Sequence, residues 1–215
     1  VRLICFSVFM KTFSNPFPIP LLKELSWLAN KPEAILTQEQ VTLIDFWDFT
    51  CINCIRTLPY LREWHTRYSP YGLVILGIHS PEFDLAKDEE TLKKTVEDYQ
   101  LHYPVAIDHD HRLWRLFDNT GWPSKYLIDH NKHLRSAHTG EGAYPETEAL
   151  IQKLLLEINP HLDLPEVMPL IRPEDDLTAS CHSTTPELYF GYQEGTVGNL
   201  GCLKKDRNHH YKHPK

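Results

Sequence analysis

The stretch LIDFWDFTCINCIRTLPYL, residues 43–61, sets two cysteines three positions apart, Cys51 and Cys54, between two different hydrophobic patterns. Before them VTLIDFW at 41–47 is β-rich and almost wholly apolar, as expected of a strand covered on both faces. After them Ile55, Leu58, Leu61, Trp64 and Tyr68 step by three or four, the stripe of a helix, which SPYG at 69–72 ends. The sulfurs therefore stand at a strand-to-helix junction, where metal binding, a structural staple and thiol chemistry all have to be weighed.

Composition narrows the field. With 215 residues, 41% hydrophobic and 24% charged, the chain can bury one good core and a small appendage. A formal net charge of −7 and a pI near 6.0 supply no basic field, which argues against a nucleic-acid partner held by phosphate neutralisation. Five cysteines with one close pair are not the dense, even framework of a small disulfide scaffold. The apolar run between Arg2 and Lys11 is about half of the ~20 residues that span a bilayer. TFSNPFPIP follows it in place of a small-residue cleavage site, so an export signal is only weakly suggested. Val1 at the start, with Met10 inside, fits either a displaced start site or a piece of a longer chain.

Outward from the cysteines, LVILGIH at 73–79 reads as a second buried strand. Residues 88–100 form an amphipathic helix with Leu92, Val96 and Tyr99 on one face. YPVAID is a short strand, and Asp110 is expected to cap a helix containing Leu113, Leu116 and Phe117. KYLID and LRSAHTG pair antiparallel across HNKH. A last helix at 145–158 starts with Pro145 in its first turn and buries Leu150, Ile151, Leu154, Leu155 and Ile158. LLKELSWLAN at 21–30 has leucines at helical spacing and is expected to be a short packing helix. The alternation predicts an α/β domain, a central mixed sheet with helices on both faces. Pro160, Pro165, Pro169, Pro173 and Pro186 then break all periodicity. The expected layout is a 1–19 extension, a 20–159 domain and a 160–215 Pro-rich linker with an incomplete C-terminal fragment. The His-rich, basic end is expected to be a solvated tail.

A structural zinc site needs four ligands, often as two such pairs, and Cys5, Cys181 and Cys202 are scattered. A helix beginning at Cys51 instead turns its unpaired amides and positive dipole end toward that sulfur and favours the thiolate. Cys51 is thus the expected nucleophile, and Cys54, one turn further in, the thiol that resolves a mixed disulfide. No cofactor and no metal are expected at such a site.

The segment LIDFWDFTCINCIRTLP resembles the active-site segment of the thioredoxin superfamily, with Asp45 six residues before the first cysteine, Phe46 and Trp47 next, and Pro59 five after the second. GWPSKYLID resembles the superfamily's other signature, a cis proline at the start of a late strand, which falls on Pro123. The pattern GIHSPEFD, YPVAID, GWPSKYLID, GEG is similar to the TlpA-like branch, and especially to the thioredoxin domain of DipZ-type cytochrome c biogenesis proteins, over roughly residues 20–158. TPELYFGY at 185–192 resembles the opening of the β-rich module that follows in that family.

The resemblance implies a thioredoxin-like fold and a thiol-disulfide oxidoreductase acting as a reductant of protein disulfides. The expected partners are disulfide-containing proteins, a recycling redox protein and, as electron donor, a membrane protein. By the same resemblance the protein works outside the cytoplasm. Asp45 is expected beneath the pair with a raised pKa, moving a proton for Cys54. Glu82 is expected to place an acid near the site. Trp47 and Trp122 are expected to shield the sulfurs or line the partner groove. Pro123, lacking a donor, leaves neighbouring main chain for an extended substrate, and Pro59 is expected to bend the helix. Two alternatives stand beside this reading. One is a thiol peroxidase, although Asp48 stands three before Cys51 where peroxiredoxins carry Thr. The other is a copper chaperone using the cysteines with a histidine such as His79.

Overall fold

Seven successive residues of β2, Val41–Trp47, are buried, and this strand is the axis of a six-stranded sheet. The computed structural model describes residues 25–31, 39–176, 196–197 and 201–202. After β1 (Ser26–Ala29) and β2 come α1 (Ile52–Tyr68), β3 (Leu73–His79), α2 (Glu89–Asp98), β4 (Val105–Ile107) and α3 (Arg112–Leu116). They are followed by β5 (Ser124–Ile128), β6 (Leu134–Thr139) and α4 (Tyr144–Ile158). The strand order is β1-β4-β3-β2-β5-β6. β2, β3 and β4 run parallel, while β5 pairs antiparallel with β2, β6 with β5 and β1 with β4.

Side chains of β2 alternate between two cores, as the pleat requires. Val41, Leu43 and Trp47 join Leu58, Leu61, Trp64 and Tyr68 of α1, Leu92 and Val96 of α2 and Ile151, Leu154 and Leu155 of α4. Ile44 and Phe46 point the other way, with Leu113 and Phe117 at and just after α3. Phe46 meets the rings of Trp114, Phe117 and Tyr126 edge to face, at centroid distances of 6.0, 5.4 and 5.6 Å. The sheet is mixed and carries helices on both faces, as the alternation predicts. Pro59 lies inside α1, and the helix runs continuously from Ile52 to Tyr68 through it.

Three local expectations are corrected. The stretch read as a packing helix at 21–30 contains strand β1; Trp27, with Leu25 just before the strand, faces one core and Leu28 and Ala29 the other. β1 is the edge strand of the sheet, and its pairing with β4 outweighs the helical spacing of the leucines; residues 21–24 lie outside the described part. The cap of α3 is Asp108 rather than Asp110: the Asp108 carboxylate accepts the amides of Leu113 at 3.0 Å and Trp114 at 2.9 Å. His111 takes the N-cap position itself with a left-handed backbone, φ 54°.

The third concerns the C-terminal edge of the domain. The first compact unit extends to Leu177 rather than ending near 159, and Leu162, Leu164, Met168 and Leu170 pack on the α1/α4 core. Prolines stop helix and strand without stopping burial, because side chains meet the extended backbone's polar groups. Gln152 donates to the Pro165 carbonyl at 2.7 Å, and Glu148 accepts the Met168 amide at 3.2 Å. The Tyr60 hydroxyl donates to Asp175 at 2.6 Å and accepts the Ile171 amide at 2.9 Å. A second unit, Thr178–Lys215, shows one short antiparallel pair, β7 (Thr196–Val197) with β8 (Gly201–Cys202). The 1–19 extension, TPELYFGY and the His-rich tail lie outside the described residues.

Replacing Tyr60 by Phe removes one hydroxyl shared by two partners of this segment. The urea midpoint of Tyr60→Phe should fall, by about 1–3 kcal/mol of unfolding free energy; an unchanged midpoint would show that the segment is not anchored there.

Candidate active site

Cys51 occupies the N-cap of α1 with an extended backbone, φ −86° and ψ 108°, so its side chain lies over the first turn. Its sulfur accepts the Cys54 amide at 3.3 Å, its amide donates to the Asp48 carbonyl at 3.2 Å, and its carbonyl accepts the Ile55 amide at 3.1 Å. Cys51 is half-buried, Cys54 is fully buried, and both are free thiols.

The environment separates the two sulfurs. The Cys51 thiol is held below its ordinary value, first by a hydrogen bond from the Cys54 side chain and further by the Cys54 and Asn53 amides, against burial and the Glu82 charge. The Cys54 thiol is pushed far up, first by burial, then by the hydrogen bond it gives Cys51 and by that sulfur's charge; the Asp48 amide opposes this and Asp45 adds to it. Helix-start amides do favour the Cys51 thiolate, as expected, but the neighbouring thiol contributes more.

Asp45 lies on the face of β2 that carries Leu43 and Trp47, the same side as Cys54, and is fully buried. Burial raises its carboxyl to about 6, with Lys125 pulling it back. Register places Lys125 directly across from Asp45, and the ammonium stands 3.4 Å from the carboxylate. The buried Tyr103 hydroxyl feels the same carboxylate: its pKa is raised by burial and then by the Asp45 charge.

The Trp122–Pro123 peptide bond is cis, and Phe46 pairs with Ser124, so Pro123 comes one step further along, level with Trp47 at the end of β2 where the cysteine loop begins. Both signature segments thus lie at the same end of the inner strands β2 and β5. The turn after β3 ties them together: Trp122 Nε1 donates to the Ser80 carbonyl at 2.8 Å, and the Ser80 amide to the Trp47 carbonyl at 3.0 Å. Trp122 is half-buried with its ring centroid 4.1 Å from that of Trp114, whereas Trp47 is wholly buried. Glu82 follows in the same turn, and its charge reaches the Cys51 sulfur. Ile52 is 60% exposed and Phe83 52% exposed, an apolar rim at the start of α1 and on the turn after β3.

Two parts of the site were not singled out from the sequence. Lys125 had a usable signal, a lysine within an otherwise apolar strand, which demands an acid across the ladder. Asp48 was noted only as the replacement for a peroxiredoxin threonine. It is fully buried and accepts from Thr50 and from the Glu82 amide, with the His79 ring 3.3 Å away. DFT is an Asx-turn pattern, but the partners from residues 79 and 82 are long-range. His79, weighed above as a copper ligand, is stacked on Phe49 at 5.4 Å. Among the described residues no three His, Cys, Asp or Glu side chains are grouped to hold a metal ion.

Comparison with known proteins agrees with this geometry. The sequence profile of the AhpC/TSA family matches residues 31–137. The chain is 37% identical over 187 residues to the protein DipZ of Mycobacterium bovis, covering 85% of this chain and 26% of that protein, so it spans about a quarter of the relative's length. It is 28% identical over 142 residues to the thiol-disulfide oxidoreductase YkuV of Bacillus subtilis, covering 65% of this chain and 95% of YkuV. The solution structure of a thioredoxin-like protein in its oxidised form superposes with a TM-score of 0.58 at 26% identity, covering 66% of this chain and 95% of that one.

The raised Asp45 carboxyl makes stability depend on pH. Its value is about 6 in the fold against ~3.9 in an unfolded chain. The favourable contribution is therefore complete below pH ~4 and lost as pH rises through the folded value. Asp45→Asn should gain on the parent by roughly 2–3 kcal/mol between pH 4 and pH 7 and then level off. Chemical denaturation at stepped pH measures this; a pH-independent difference would contradict it.

Proposed function

The chain belongs to the thioredoxin superfamily, on its TlpA-like side, and from that premise we propose that it is a thiol-disulfide oxidoreductase that reduces disulfides in other proteins. The observation that carries this is the division of labour at one helix start: a half-exposed sulfur that ionises readily, hydrogen-bonded by a buried one that keeps its proton.

The Cys51 thiolate attacks one sulfur of a partner disulfide, forming a Cys51–partner bond and releasing the partner's second sulfur as thiolate. Once Cys51 is no longer negative, Cys54 loses the charge that opposed its ionisation. Its proton passes to Asp45, whose carboxyl is raised to about 6 and can take and return a proton near neutrality. The Cys54 thiolate then attacks the Cys51 sulfur, the Cys51–Cys54 disulfide forms, and the partner leaves with both electrons. Pro123, with no N–H, and the apolar rim of Ile52, Phe83 and Trp122 face the partner's extended segment, which pairs with exposed main chain. Glu82 adds negative charge at the mouth.

Recycling needs a second dithiol protein, and a membrane protein as electron donor fits the DipZ resemblance. The same resemblance supports an extracytoplasmic place of action and an oxidised apocytochrome or similar protein as substrate. No helix among the described residues is long and apolar enough to cross a membrane.

The AhpC/TSA match keeps peroxide as a rival oxidant for Cys51. The two are separated by assay: the chain should reduce insulin disulfides, Cys51→Ser should abolish this, and Cys54→Ser should accumulate a mixed disulfide at Cys51. Peroxide consumption without any mixed disulfide, in a folded Cys54→Ser variant, would overturn the proposal in favour of the peroxidase.

A further inference from the structure

His79 is the last residue of β3, is fully buried, and has no part in the exchange chemistry itself. Register sets it beside Trp47, the last residue of β2, whose ring meets the imidazole edge-on at 5.4 Å. The chain leading to the cysteines then passes around the same ring. Asp48 Oδ1 lies 3.3 Å from His79 Nε2, and Phe49 stacks on the imidazole with centroids 5.4 Å apart and planes 12° from parallel. Three successive residues, 47 to 49, thus border one buried side chain, and His109 meets it edge-on at 6.3 Å.

The polar contact has a defined direction. Burial alone would raise the Asp48 carboxyl, but the His79 ring, the Glu82 and Thr50 amides and the Thr50 hydroxyl outweigh it and hold the group ionised. An ionised carboxylate only accepts, so Nε2 must carry the ring hydrogen that faces it. The contact is within ion-pair reach, though off the line of a well-formed hydrogen bond. Thr50 holds the same carboxylate within the loop, and the Glu82 amide ties it to the turn after β3. His79 lies inside the ladder, paired with β2 and β4, and so ties it to the sheet.

We propose that His79 is a positioning residue for the nucleophile: its imidazole seats Asp48 and Phe49, and through them fixes Cys51 at the start of α1. The inference rests on the thiol-exchange reading above and extends it to what holds the attacking sulfur in place. From Asp48 the path to the sulfur is short. The Asp48 carbonyl accepts the Cys51 amide at 3.2 Å, and Cys51, so held, caps the helix with its sulfur accepting the Cys54 amide at 3.3 Å. A loop that loses its seat lets the sulfur drift from the first-turn amides, which weakens their support of the thiolate.

Two substitutions separate the ring from its N–H. His79→Phe keeps an aromatic ring for Phe49 and removes the donor to Asp48; His79→Gln keeps an N–H of similar reach and removes the ring. The titratable groups acting on the Cys51 sulfur are Cys54 and Glu82, and those bordering the imidazole are Asp48 and His109; both substitutions leave all four in place. The reduced full chain is titrated by ultraviolet thiolate absorbance and mixed with dithiobis(nitrobenzoic acid), whose first released thiolate reports attack by Cys51 and whose second reports displacement by Cys54.

In His79→Phe the thiolate fraction and the first release should both fall about five-fold below the Cys51 midpoint, the scale of a helix-start interaction. They should rejoin the parent above it, where the sulfur is ionised in both. His79→Gln should lie nearer the parent than His79→Phe does. A folded His79→Phe with the parent's midpoint overturns the proposal, as does a loss that is equal at every pH or one that His79→Gln shares in full. Should His79→Phe not fold, the nitrogen-15 shifts of the parent imidazole decide: a protonated Nε2 supports the proposal and a bare one overturns it. Insulin reduction by the parent is untouched by any of these outcomes, so this inference and the thiol-exchange reading can fail separately.

Discussion

One proton between two sulfurs organises this site. Cys54 donates to Cys51, and that bond, more than the helix-start amides, lowers the pKa of the outer thiol and adds to the burial that raises that of the inner one. The asymmetry depends on burial: Cys54 lies on the buried face of α1 with no exposure, whereas Cys51 caps the same helix half-buried. A thiolate that is exposed, beside a thiol that is not, can start an exchange and then finish it within the same turn of helix.

The fold supplies the rest by register. β2 aims Asp45 at the underside of the pair, and its antiparallel neighbour β5 supplies Lys125 across from it and Pro123 at the strand end. A buried carboxylate would be costly alone and is tolerable with an ammonium 3.4 Å away. The compensation is partial, since the carboxyl still rests at about 6. In the proposed mechanism this incompleteness is useful: a fully paired Asp45 would be too weak a base to receive the Cys54 proton. The stacked pair Tyr60 and Tyr144, with centroids 3.6 Å apart, belongs to the scaffold behind α1, where the Pro-rich segment lies across the helices.

Much of this was legible in the sequence because the signals were local. The apolar run 41–47, the helical stripe after Cys51, the cysteine spacing and the proline of GWPSKYLID each specify backbone or chemistry within a few residues. What escaped was set by distant partners. Within the stretch read as a helix, Ser26–Ala29 is instead an edge strand paired with β4, sequence-remote by some eighty positions. The prolines after 160 suppressed periodicity, yet Tyr60, Gln152 and Glu148 give that segment a buried seat. Asp108 and Asp48 act on amides up to six and thirty-four residues away, which no turn pattern reports. Lys125 was readable in principle, since a lysine in a buried strand needs an acid opposite.

The most direct measurement of the central claim is the pH titration of the reduced chain by ultraviolet thiolate absorbance, compared with Cys51→Ser. One thiolate should appear below the ordinary thiol range of ~8.5, vanish in the variant, and be followed by no second step while the fold persists. Two thiolates ionising together near the ordinary value would contradict the account.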